Sequence, residues 1–263
     1  MFDCMKRGGF SEDKNRKGQV TAFIIISILV VAVVVLVFLL SPEARSSIGL
    51  GQEQTPQSFI QTCLEKPLRE KANTAAMQGG SLEPEATYLF NGTPVQYLCY
   101  ATEPYERCQV QVPFIESHLE TNLEESIQSD VRSCFDDLQN NYQNSNLEEG
   151  GYNVEMLPGT MVATLNYTFS YEEGGESKRQ EGFEVVLENN NLYLLTSIAQ
   201  SILEWEASYG QADTTTYMNL YRDVTVRKFR QTDGTIVYRI EHDQSGDKFQ
   251  LASRSMYFPA GYG

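Results

Sequence analysis

One stretch restricts the fold more than any other: Val20–Leu40, 21 residues without a charge, in which only Thr21 and Ser27 are polar. At ~1.5 Å per residue it extends ~31 Å, the thickness of a bilayer's hydrocarbon core. A single segment in lipid must satisfy its own backbone, which leaves only a helix. Residues 1–18 carry five basic and three acidic residues, with Lys14, Arg16 and Lys17 close to the run. The positive-inside bias therefore places the N-terminus in the cytoplasm and everything after Ser41 outside. A removed secretory signal would have a shorter apolar stretch, ~7–15 residues, closed by small residues. Ala44-Arg45-Ser46 fits that pattern poorly.

The junction Lys17-Gly18-Gln19, a basic leader ending in Gly before an apolar run, resembles the class III signal peptides of archaeal type IV pilins and archaellins. That resemblance covers roughly residues 14–40. It implies cleavage between Gly18 and Gln19 by a prepilin-type peptidase and a mature helix that sits in the bilayer or packs with copies of itself or other pilin-like subunits. Gln19 and Thr21 suit the Gln-x-Ser/Thr start of some archaeal pilins, whereas Phe23 stands where a Glu often follows. Gly18 leaves the scissile bond unobstructed and weakens the helix at its edge. The apolar run has no Gly-x-x-x-Gly, so helix packing is permitted but not encoded by that motif.

The layout expected is a basic leader over 1–18, a transmembrane helix over 19–40, a Ser/Gly/Pro/Gln-rich linker over 41–57, and an ectodomain. The ectodomain reads as a helix–hairpin–helix half over 58–150 and a strand-rich half over 151–263, giving an α+β fold class. Thr55-Pro56 opens a helix as N-cap and N1. Pro67 is expected to kink or divide it, and Gly79-Gly80 to end it. Asn91-Gly92 marks a hairpin. Residues 113–142 form a helix with Phe114, Ile115, Leu119, Leu123, Ile127, Val131, Cys134 and Leu138 on one face. Strands are expected at 152–157, 161–171 and 181–188, with 172–180 as a loop. A helix over 191–209 turns Leu192, Leu195, Ile198, Ala199, Ile202 and Trp205 inward, and three last strands follow.

Cys4 lies in the leader; Cys63, Cys99, Cys108 and Cys134 lie outside, where thiols oxidise. Four cysteines allow three pairings. The nine-residue spacing of Cys99 and Cys108 suits a local bridge, which leaves Cys63 with Cys134. The C-x₂₋₄-C spacing of a zinc site is missing, so no metal or cofactor is implied. His118 stands between Glu116 and Glu120 and reads as a solvated position. Asp243–Asp247 reads as a turn in preference to a calcium loop. No nucleophile elbow or phosphate loop occurs, so no enzyme is expected. Asn166-Tyr167-Thr168 and Asn91-Gly92-Thr93 match the glycosylation acceptor pattern.

Beyond residue 18 the chain holds 15 basic and 32 acidic residues. That balance repels phosphate backbones and speaks against nucleic acid as a partner. "YLCYATEPYERC" and the final "KFQLASRS" are similar to uncharacterised single-span archaeal surface proteins. The expectation is a pilin-like surface subunit, held by its apolar helix in the cell membrane or a filament. The alternative is an uncleaved single-pass envelope protein with a binding ectodomain.

Overall fold

The computed structural model describes residues 27–31 and 55–258. Residues 27–31 are helical; Lys17, Gly18, Gln19 and the remainder of the expected span lie outside the described residues. Among the described residues no helix is long and apolar enough to cross a membrane. The described residues from 55 to 258 lie in one compact unit. Its elements are α1 (Pro56–Met77), β1 (Thr87–Phe90), β2 (Thr93–Tyr100), β3 (Gln109–Val110), α2 (Ile115–Asn141), β4 (Asn146–Glu148), β5 (Tyr152–Leu157), β6 (Thr160–Glu173) and β7 (Glu176–Glu188). These are followed by α3 (Leu192–Tyr209), α4 (Thr214–Leu220), β8 (Val224–Arg230), β9 (Ile236–His242) and β10 (Lys248–Arg254). The class is α+β, as expected.

A six-stranded sheet runs β1-β2-β10-β9-β8, with β3 added to β2. It is mixed because β10 pairs with β2 in parallel. A four-stranded antiparallel sheet has β6 at its centre, with β7 along one side and β5 and β4 along the other. The β2–β10 pairing joins the first half of the ectodomain to its last strand, and β4 joins β6.

Helix α1 begins as expected: Thr55 Oγ1 accepts from the Ser58 N–H at 3.2 Å, and Pro56 sits in the first turn. It continues through Pro67 without a break. An interior proline costs roughly 3 kcal/mol, but Ile60, Leu64, Leu68 and Ala72 form a fully buried stripe on both sides of it. That burial, at ~1.5–3 kcal/mol per large apolar side chain, outweighs the lost bond. On α2 the inward stripe is as expected from Ile115 to Leu138, with Phe135 added. Phe114 is a correction. It occupies the N-cap in extended geometry and is 74% exposed, because the helix starts one residue after it.

Both helices bear on the edges of the four-stranded sheet. Gln57 and Gln61 of α1 bind the free edge of β7. The Gln57 amide donates to the Glu184 carbonyl at 2.6 Å and accepts from its N–H at 3.3 Å. Gln61 does the same for Val186 at 3.0 and 2.9 Å. On the opposite edge, Glu124 and Glu120 of α2 accept the N–H groups of Val154 and Met156 at 2.9 and 2.7 Å. The match is metric: four residues of helix rise ~6.0 Å and two residues of strand ~6.6 Å. An i, i+4 pair on a helix thus meets the i, i+2 groups that share one strand edge.

The expected loop over 172–180 is instead two strands and a two-residue turn. β6 and β7 remain paired out to Glu173 and Glu176, with Gly174 and Gly175 at positive φ between them. Tyr167 follows the inward alternation of Met161, Ala163 and Leu165 and stacks on Phe135 at 4.4 Å, while the pairing with β7 shifts register between Leu165 and Thr168. Gly150 passes directly beneath this bulge, and a Cβ there would collide with the Asn166 carbonyl.

Cys63 is bonded to Cys134, linking α1 to α2 with Cα atoms 5.9 Å apart, and Cys99 to Cys108 at 5.3 Å. Both pairs are those expected. A closed loop of 71 residues is worth about 4 kcal/mol in the chain-entropy model. The double substitution Cys63→Ser/Cys134→Ser should accordingly lower the unfolding free energy by about 4 kcal/mol, read from guanidinium denaturation with the other bridge intact.

Burial raises the Glu120 carboxyl above its ordinary 4.5, helped by Glu116, Glu155 and Glu124, while the bond from Met156 opposes the shift. A carboxyl whose folded value is raised loses stability as pH rises through and above 4.5. Glu120→Gln keeps an oxygen for the Met156 N–H but cannot ionise. Its unfolding free energy should fall less steeply over that window than the parent's in urea titrations at a series of pH values. An unchanged slope would show that another group causes the dependence.

Candidate functional site

The inward stripe of α3 does not end on the expected residue. Trp205 is 47% exposed, and Glu206, one position on, is fully buried. Both positions continue the periodicity from Ile202, so spacing allows either; the indole was the apolar choice. The carboxylate wins its place through partners that an indole cannot engage. Glu206 Oε1 accepts from the Tyr238 hydroxyl and from the Ala212 N–H (3.0 Å), and Oε2 accepts from the Ser253 hydroxyl at 2.9 Å. Its own carbonyl accepts from the Ser255 hydroxyl at 2.8 Å, and the Cys108 N–H donates to that same hydroxyl at 3.0 Å.

Burial pushes the Tyr238 hydroxyl far above its ordinary value, and the adjacent Glu206 charge adds to the rise. Lys228 lies over the Tyr238 ring at 5.3 Å and donates to the Ala212 carbonyl at 3.2 Å. Burial lowers its ammonium below the ordinary 10.5, while the Glu206 and Asp213 charges oppose that shift.

The network fixes three surface segments at the C-terminal end of α3. Residues 101–108 are held through Cys108 and its bridge to Cys99, residues 210–213 through Ala212, and residues 255–258 through Ser255. Gly210 ends α3 at φ +89°, and a Cβ there would strike the Met256 side chain, so this crossing requires glycine. What the three segments present is aromatic and cationic. Trp205 and Tyr209 stand one helical turn apart with ring centroids 4.6 Å apart, and Tyr105 meets Phe258 edge-on at 5.3 Å. All four are exposed. The Arg107 guanidinium donates to the Ser208 carbonyl at 3.0 Å, and that of Arg230 to the Gln211 amide oxygen at 2.6 Å. Neither arginine has an ion-pair partner among the described residues. A cleft of about 180 Å³ runs beside them, lined by Gln211, Arg230, Ser255 and Phe258 among others.

The residues singled out from sequence lie elsewhere. Asn91 sits exposed in the β1–β2 turn and Asn166 exposed on the β6 bulge. His242 Nδ1 and Ser245 Oγ are 3.0 Å apart in a turn that also contains Asp247, which accepts the Asn191 N–H at 2.8 Å. His118 is a correction. It is half-buried, with its Nε2 enclosed and without a hydrogen-bond partner, and burial lowers its pKa below the ordinary 6.5. It lines an open groove of about 600 Å³ with Gln96 and Phe114. A Cβ at Gly80 would come within 3.2 Å of the ring, so a glycine there leaves the imidazole room on that side.

The chain matches no protein-family model, no curated protein and no solved structure. The class that the structure itself defines is an α+β unit with two internal disulfides and an exposed aromatic–arginine end.

Truncating Glu206 to Ala strands a phenol, a hydroxyl and a backbone N–H in the core, which should cost about 3–5 kcal/mol. Glu206→Gln keeps an oxygen for Tyr238 and Ala212 and offers its N–H₂ to the Ser253 oxygen, so most of that loss should return. Thermal unfolding of both variants decides it: equal losses would mean that packing, not hydrogen bonding, holds the segment.

Proposed function

We propose that this chain is a pilin-like cell-surface subunit, with residues 19–40 in the bilayer or in a filament core and the unit from residue 54 outside. The observation that carries the reading is the pair of disulfides in a unit that lies C-terminal to a 21-residue apolar run, beyond a Ser/Gly/Pro/Gln-rich linker. Such bridges persist in oxidising compartments, and the basic residues preceding the run orient the chain to put them there. The Lys17-Gly18-Gln19 junction supports processing by a prepilin-type peptidase. The acidic surface supports a soluble exterior domain that acts through contacts. The exposed Trp, Tyr and Arg at the end of α3 are the residue types that dominate protein interfaces. The uncleaved, singly anchored envelope protein is the second reading, favoured by Phe23 where a Glu is usual in pilins.

Mass and N-terminal sequencing of the chain from its native membrane, before and after reduction, separates the two. A mature chain starting at Gln19 is expected. An intact leader would replace the pilin-like reading with the plain anchor. Reduction should add four hydrogens for the two bridges.

A further inference from the structure

Gly79 and Gly80 follow α1 at positive φ and pass between β2 and α2, where a Cβ on Gly79 would come within 2.8 Å of the Gln96 Cβ. Residues 81–85 then lie against α2, held by the Ser81 hydroxyl, which donates to Asn122 Oδ1 at 3.0 Å. The Gln96 N–H donates to the Gln78 carbonyl at 3.0 Å, which fixes the other wall. Between these walls lies the groove of about 600 Å³ that His118, Gln96 and Phe114 line together with Glu83 and Glu85. A second hollow of about 530 Å³ meets it at Ser81 and Glu83 and adds Asn122 and Glu125.

The charge of this lining has one sign. Glu83, Glu85 and Glu125 are exposed and have no ion-pair partner among the described residues. No lysine or arginine lines either hollow. Lys71 donates to the Ser126 carbonyl at 2.5 Å at the far end, but its charge is paired with Asp130. Burial lowers the His118 imidazole below the ordinary 6.5, so it adds no positive charge at neutral pH. The lining also has unmet acceptors. Gln96 Oε1 and His118 Nε2 are enclosed and have no hydrogen-bond partner; the first is an acceptor, and the second is one in the tautomer protonated at Nδ1. Enclosed polar atoms of this kind are costly, and a small turn of either side chain toward the groove would give it a ligand donor. At the rim, Pro113 and Phe114 are exposed and apolar.

We propose that these hollows receive a basic segment of another protein, its lysine or arginine heads meeting Glu83, Glu85 and Glu125 and its aliphatic stems covering Pro113 and Phe114. Lysine and arginine carry donors only, which suits a lining whose unmet atoms are acceptors. Their stems bury on apolar surface while the heads stay at the charged rim, and a cation is attracted to the face of a phenyl ring. An anionic segment is repelled, and a neutral one would cover three carboxylates without pairing them. A free polyamine offers no uncharged residues to lie against Pro113 and Phe114, so the rim selects a peptide. The inference goes beyond the surface-subunit reading and holds whether or not the leader is cleaved.

The test titrates the full chain, in nanodiscs of zwitterionic lipid or in free solution if it stays outside them, against a dye-labelled Lys-Ala-Lys-Ala-Lys-Ala peptide by fluorescence anisotropy. Insertion into the discs, read separately by sedimentation, tests the membrane reading on its own. The peptide should bind at low salt and weaken as salt rises, and its Glu-for-Lys counterpart should not bind. E83Q/E85Q should weaken binding by about tenfold or more, and F114S by about threefold or more. E148Q/E149Q removes the same charge from exposed positions elsewhere on the unit and should leave binding within about twofold of the parent. All of these side chains are exposed, so each variant should unfold at the parent's temperature. Absence of binding at low salt would overturn the proposal, as would an unchanged F114S. Equal weakening by E148Q/E149Q and E83Q/E85Q would also overturn it, because net charge alone would then be the attraction. Spermine displacing the peptide at equal amine concentration would put a free amine in place of a protein segment, which the proposal does not survive.

Discussion

The rest of the unit depends on the fit between polar i, i+4 pairs on two helices and the open edges of one sheet. A four-stranded sheet leaves two rows of backbone donors and acceptors unpaired, and buried rows of that kind are costly. Here Gln57 and Gln61 serve β7, and Glu120 and Glu124 serve β5. With its edges held, the sheet can present its apolar face to the helices without offering its sides to another chain. The Cys63–Cys134 bridge fixes the spacing of α1 and α2, and therefore the width of the slot the sheet occupies. An amide reads both groups of a strand residue, whereas a carboxylate reads only the donor, which matches the pairs seen on each edge.

The six-stranded sheet solves a different problem. Its core face would be continuous and apolar but for Tyr238 and Ser253, and the side chain that answers them is Glu206 from α3. A charge in this position is tolerable because each carboxylate oxygen has at least one donor. The return is positional: one buried group ties down three loops that would otherwise move independently, and those loops carry the exposed rings and arginines. Stability inside and surface chemistry outside are in this way coupled through a single residue.

Most elements were legible as periodicity. The α1 cap at Thr55, the α2 stripe, the Asn91-Gly92 turn and the Cys99–Cys108 bridge follow from local rules that tertiary structure did not override, and Cys63 with Cys134 was the pair then left. Where tertiary structure prevailed, the reasons are specific. Pro67 is retained in a continuous helix because burial on both sides outweighs one missing hydrogen bond. Residues 172–180 are strands because two glycines suffice for the turn and β6 and β7 can pair with each other outside the core. Phe114 and Trp205 face solvent because an apolar side chain at a helix end or beside a paired carboxylate is not obliged to be inside. The aromatic–arginine end was not legible at all, since Tyr105, Arg107, Trp205, Tyr209, Arg230 and Phe258 come from segments up to 153 residues apart in sequence.

By itself the sequence determined what depends on neighbours in the chain: an apolar run of membrane length behind a basic stretch, the strongly periodic helices and strands, and the turns marked by Asn91-Gly92 and Asp233-Gly234. Tertiary structure decided which edges the helices guard, that β2 and β10 run side by side, and that a glutamate rather than a tryptophan enters the core. Those outcomes depend on hydrogen-bond partners brought from distant positions. Burial of a polar group is favourable or ruinous according to partners that no local pattern records.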